Sequence, residues 1–148
     1  MGVYITSLLL PRTSASPEHP LGMTIPAEGV SVAAAIVLEM MATFMLELTI
    51  LVSADAKVPD VEMGERTTIF VGCSFAVMTA SVGPLTGCSL NPARSLAPAL
   101  LAKSFNNQWI YVVGPVAGGI LAALVHQAII HPINPCSRAQ NLCPSERE

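Results

Sequence analysis

Thr86-Gly87-Cys88-Ser89-Leu90-Asn91-Pro92-Ala93-Arg94-Ser95-Leu96 is a polar knot with apolar sequence on both sides. No Asp, Glu, Lys or Arg occurs between Arg66 and Arg94, and none occurs between Lys103 and Arg138. Arg94 therefore lies between two candidate membrane spans, a setting in which a charge marks a functional site. Asn is a preferred N-cap, and Pro92 fits the first helical position, where no backbone N–H is needed. The pattern predicts a helix over residues 92–102. About ten residues at about 1.5 Å each cover roughly half of a hydrocarbon core of about 30 Å. The segment thus reads as a re-entrant half-helix, tolerable at membrane depth only where it lines a protein-walled aqueous cavity. Asn91 and Arg94 are three apart and share a face, which aims an amide and a guanidinium at one spot.

Outside the knot the chain is apolar: of 148 residues 52% are hydrophobic and only 11% are charged, against about 25% charged in a typical soluble domain. This is the composition of a membrane protein. The net charge of −3 and the absence of any Lys/Arg run argue against nucleic acid and against a polybasic lipid-binding segment. The four cysteines at 73, 88, 136 and 143 form no CxxC pair, and two of them fall in or beside apolar segments. Neither a metal site nor a disulfide framework is expected. No nucleophile, base and orienting group recur at usable spacing, so no catalytic residue, enzymatic activity or cofactor is assigned.

Residues 1–28 read as a flexible tail. Residues 3–10 are apolar but too short to span, and Pro11, Pro17, Pro20 and Pro26 interrupt any helix. Met1-Gly2 with Thr6 fits an N-myristoylation pattern that recurs by chance. Span one is predicted over residues 29–52 and holds Glu39 and Glu47. Eight positions at about 100° each leave these acids about 80° apart, so both can avoid lipid. Glu47, near the end of the span, reads as a snorkelling or packing carboxylate. Residues 53–66 carry Asp55, Lys57, Asp60, Glu62, Glu65 and Arg66 and form a solvated loop whose mixed charge gives no positive-inside signal.

Span two is predicted over residues 67–84, with Gly72, Ser74, Ala76, Thr79, Ala80 and Ser81 favouring close helix packing. Span three, over residues 108–130, carries Gly114, Gly118 and Ala122 at four-residue spacing, the small-xxx-small pattern of tight helix contacts. Trp109 and Tyr111 at its start read as interfacial aromatics, and His126 and His131 near its end as interfacial rather than ligating. Asn134-Pro135-Cys136 is no second knot, because a polar tail over residues 133–148 follows it.

Asn91-Pro92-Ala93-Arg94, placed after Thr-Gly-Cys and before Ser, resembles the second signature motif of the aquaporin (major intrinsic protein) family. Its place between two long apolar runs makes the match specific. So does the stretch from Gln108 to Pro115, which is similar to the start of the family's last helix. The resemblance covers residues 29–132 and implies an all-α fold: half of an aquaporin-like right-handed helical bundle, three transmembrane helices plus one re-entrant half-helix. Family members resemble an inverted pair of such units, and this chain matches the second, without the first unit's own Asn-Pro-Ala.

The resemblance also implies roles. Asn91, Pro92 and Ala93 form the pore motif, and Thr79, Cys88 and Arg94 the selectivity filter. Glu39 falls where the family carries a buried Glu that braces the re-entrant loop. Cys88 matches a pore-lining thiol through which mercurials block, with a small buried residue as the lesser alternative. Thr79 stands where strict water channels carry a histidine; read on its own it is equally a hydroxyl bonded to its helix backbone. Ser95, Ala99 and Tyr111 resemble water-channel positions, whereas Thr79 and Val112 depart from them.

The expected function is facilitated diffusion of water across a bilayer, with glycerol or other small uncharged solutes as the alternative. A reading of another class is a truncated, non-conducting subunit that oligomerises with full-length aquaporins. The resemblance implies that the loop over 53–66 and the C-terminus are cytoplasmic, in a plasma or intracellular membrane.

Overall fold

The structure is a computed structural model that describes residues 22–55 and 63–130, and every regular element among them is helical. Helix α1 is Val32–Asp55, α2 is Met63–Thr86, α3 is Pro92–Ala102 and α4 is Ile110–Val125, continued by a π-helical turn, His126–Ile130. Three stretches are long and apolar enough to cross a membrane: Val32–Ala54, Thr67–Thr86 and Ile110–Ile129. At 11 residues α3 is not.

Each boundary has a local cause. Gly29 takes a φ of +86° in a turn closed by the Val30 N–H on the Ala27 carbonyl, 3.0 Å, so α1 cannot start there. Ser31 caps it instead, its hydroxyl accepting from the Ala34 N–H at 3.2 Å. Helix α3 ends at Lys103, whose left-handed backbone (φ 52°) turns its N–H and that of Ser104 back onto the last carbonyls.

Helix α1 is the centre of the bundle, packing most extensively on α4 and next on α2. The α1–α4 contact runs along the glycines of α4. A Cβ at Gly114 would lie 2.8 Å from Glu39 Cβ, and one at Gly118 would meet the Met40 carbonyl oxygen and lie 3.1 Å from Thr43 Cβ. With Gly114, Gly118 and Ala122 all buried, the two backbones approach closely.

Helix α2 corrects an expectation. Gly72, Ala76, Thr79, Ala80 and Ser81 are exposed rather than packed, and only Ser74 meets α1, 3.4 Å from the Thr49 hydroxyl. The contact is made by bulkier residues, with Met78 and Val82 against Leu38, Ala42 and Leu46, because larger apolar side chains bury more area per contact. The start of α4 holds a second correction: Trp109 is exposed as an interfacial aromatic should be, but Tyr111 is fully buried. His126 is also buried, while His131, Asn134-Pro135-Cys136 and the polar tail lie outside the described residues.

The segment before α1 holds a third correction. Residues 22–28, expected within a flexible tail, fold across the end of α2. The Ala27 N–H donates to the Leu85 carbonyl at 2.8 Å, and Thr24 is 2% exposed. The expectation for residues 1–21 lies outside the described residues.

Candidate functional site

The loop between α2 and α3 must reverse the chain within a few residues, and it does so through left-handed backbone. Gly87 has a φ of +87°, Cys88 of +46° and Leu90 of +59°. Glycine takes this freely, but for Cys and Leu it is strained and persists only where surrounding contacts impose it. Those contacts come from Glu39, one α1 residue that is fully buried. Its carboxylate accepts the Thr86 hydroxyl at 2.6 Å, the Ser89 N–H at 2.9 and 3.0 Å to its two oxygens, and the Leu90 N–H at 3.2 Å. Tyr111 adds a bond from α4, its hydroxyl donating to the Thr86 carbonyl at 2.8 Å. A buried carbonyl at the end of α2 needs a donor, which is why this tyrosine faces inward.

At the start of α3 the Asn91 side chain accepts the Ala93 N–H at 2.9 Å. With its Oδ1 so used, the exposed amide has its NH2 as an outward donor. Pro92 occupies the first helical position. Arg94 is exposed, and its Nη1 donates to the Gly87 carbonyl at 3.2 Å. The guanidinium therefore stands beside the positive end of the α3 dipole, with most of its donors unused by this loop.

Thr79 is exposed about two helical turns before the loop, and its side chain lies beside Cys88. Of the three residues expected in a filter, Thr79 lies on α2, Cys88 in the loop and Arg94 in the first turn of α3. Cys88 differs from what the resemblance implied: it is 2% exposed and packs with Ala42, Val82 and Leu90. Its left-handed φ turns the sulfur inward onto α1 and α2, away from any open surface.

Thr24, Thr86, Ser89 and Tyr111 position the loop, and sequence reasoning did not single them out for this. Thr86 and Ser89 had one signal, as hydroxyls inside an otherwise apolar stretch. Thr24 had none, since its partner is 71 residues away. Between residues 22–28 and the end of α2 lies an open cleft of about 570 Å³, lined by Met23, Ile25, Glu28, Pro84 and Gly87 among others.

The chain matches the family model described as "Major intrinsic protein" over residues 1–126. It is 34% identical over 130 residues to aquaporin-1 of Pongo abelii, covering 88% of this chain and 48% of that protein. The aquaporin-1 of Homo sapiens gives 33% over 130 residues, with the same shares. The aquaporin-1 of Rhizophagus irregularis gives 41% over 109 residues, 72% of this chain and 38% of that protein. The chain spans about half the length, or less, of these curated relatives. The family match also takes in the segment before residue 29, which the motif resemblance had left out. With this match over most of its length and three helices able to cross a bilayer, the chain is an integral membrane protein that belongs to the major intrinsic protein family.

Proposed function

We propose that residues 86–102 wall one side of a transmembrane pore that passes water by facilitated diffusion, with no covalent chemistry and no cofactor. One observation carries this reading: a helix too short to span begins with an outward amide on Asn91 and an exposed guanidinium on Arg94. In such a wall Asn91 offers a hydrogen bond to each passing molecule. Arg94 and the α3 dipole together raise the electrostatic barrier to protons and cations. Glu39 braces the loop that presents both, while Pro92 and Ala93 hold the first turn of α3. The facing wall comes from a second unit of the same kind, on the same polypeptide or on an aquaporin partner.

Thr79 favours a second reading, passage of glycerol or other small uncharged solutes. It is exposed beside Cys88 and brings only a hydroxyl and a methyl to the loop, which leaves more room than an imidazole. A role as a non-conducting subunit alongside longer aquaporins is the remaining alternative. The test is stopped-flow swelling of proteoliposomes holding this unit within a complete channel, with water, glycerol and urea as solutes. Water flux that exceeds glycerol flux supports the first reading, and comparable fluxes support the second. Arg94→Val is expected to raise leakage of urea and cations; unchanged selectivity would move Arg94 from the filter to the scaffold.

A further inference from the structure

Three buried hydroxyls connect the segment before α1 to the loop. The Thr24 hydroxyl donates to Ser95 Oγ at 2.6 Å, Ser95 and Ser89 share a hydrogen bond of 2.5 Å, and Ser89 donates to the Asn91 carbonyl at 3.0 Å. Each hydroxyl has a single proton. Ser89 has given its proton to Asn91, so the bond between the serines is donated by Ser95. Ser95 has then given its own, so its remaining polar contact is the one it accepts from Thr24. The chain therefore has a direction, Thr24 to Ser95 to Ser89 to the Asn91 carbonyl, and it starts at Thr24. Thr24, Ser89 and Ser95 are 2%, 1% and 1% exposed, so losing one member leaves a buried polar group without its partner.

Thr24 also acts by contact. A Cβ at Gly87 would lie 3.1 Å from both Thr24 Cα and Thr24 Cγ2, so the threonine sits directly against the residue whose carbonyl receives Arg94. The backbone bond from Ala27 to Leu85 pins the same segment three residues further on.

We infer that Thr24 is a positioning residue: its hydroxyl latches residues 22–28 onto the start of α3 and holds the loop that presents Asn91 and Arg94. The consequence for permeation rests on the pore reading above, whereas the latch itself does not.

The test uses the full chain in lipid nanodiscs and compares Thr24→Val, which keeps the shape and loses the hydroxyl, with Thr24→Ser, which keeps the hydroxyl and loses the methyl. Amide hydrogen exchange at Ser89 and Leu90 is read against amides at 114–118 as an internal control. Losing the partner of a buried hydroxyl is expected to speed loop exchange about five- to tenfold in Thr24→Val, with 114–118 unchanged and Thr24→Ser close to wild type. Thr24→Ala, which removes the hydroxyl without adding bulk, carries the comparison should Thr24→Val not fold. In a complete channel, Thr24→Val should also shift the ratio of water to glycerol flux, with Thr24→Ser restoring it.

Loop exchange unchanged in Thr24→Val, or as fast in Thr24→Ser as in Thr24→Val, overturns the latch. An exchange pattern that follows the hydroxyl, in a complete channel that passes no solute, keeps the latch and defeats the pore reading instead.

Discussion

Glu39 serves a loop 50 residues away in sequence, and the energetics of that service are asymmetric. Its carboxylate takes the Thr86 hydroxyl and the Ser89 and Leu90 N–H groups, and the two residues with strained φ, Cys88 and Leu90, lie among these donors. An N–H left unpaired in this interior costs more than the bond contributes when made. Glu39→Gln retains one acceptor oxygen and turns an NH2 toward N–H groups that can only donate. It should cost about 1–3 kcal/mol, read as an earlier midpoint when the micellar protein is unfolded with SDS. A midpoint equal to wild type would mean that the loop holds its shape without the carboxylate. Cys88 belongs to the same scale: the φ that lets its neighbours reach Glu39 also turns its sulfur into the α1–α2 contact.

Among the elements, the pair α1 and α4 decides where Glu39 sits. The ridge of Gly114 and Gly118 lets α4 come against α1 so closely that Glu39 Cβ occupies the place of a Gly114 side chain. Gly118→Val would put a branched side chain against the Met40 carbonyl and Thr43, with no flexible neighbour to yield. Overpacking of this kind costs about 1–3 kcal/mol, and because it separates the helix that carries Glu39 from the one that carries Tyr111, the loop should loosen with it. The check is the same SDS midpoint together with exchange at Ser89. A variant that loses stability while loop exchange stays slow would uncouple the helix contact from the loop. Helix α2, packed on α1 by one face only, leaves Gly72, Ala76 and Ala80 facing outward.

For the molecule as a whole, the exposed surfaces set what this chain does by itself. Leu96, Leu100 and Leu101 of α3 are exposed, as are Asn91 and Arg94. In a bilayer the polar start of α3 needs a water-filled, protein-walled space, since backbone groups facing lipid cost several kcal/mol each. On the proposed pore reading, one unit supplies one wall. Expressed alone in oocytes, these 148 residues should therefore add no water permeability, and co-expression with a longer aquaporin should let them co-purify with it. Robust swelling from this chain alone would show that it builds a complete pore from copies of itself.

The membrane class, the helical fold and the place of the half-helix follow from sequence because their causes are local. A charge-free apolar run long enough for a bilayer declares a span, and Asn91 followed by Pro92 starts a helix wherever the chain folds. Glu39 stood out as an acid inside such a run, although only a resemblance linked it to the loop. What only the tertiary structure decided is which faces these elements share. Tyr111 reads as interfacial from its position at a helix start, yet it is drawn inward by the Thr86 carbonyl. Cys88 is accessible only by resemblance, and it packs instead with Ala42, Val82 and Leu90 in a loop where Gly87, Cys88 and Leu90 are left-handed. Thr24 lies in a stretch that reads as a flexible tail, and it ends in the interior, where a serine 71 residues later accepts its hydrogen bond. Helix starts and membrane spans depend on neighbours within a turn or two. Burial and hydrogen-bond partnership depend on which helices pack together, a property of the whole chain that no single stretch of it contains.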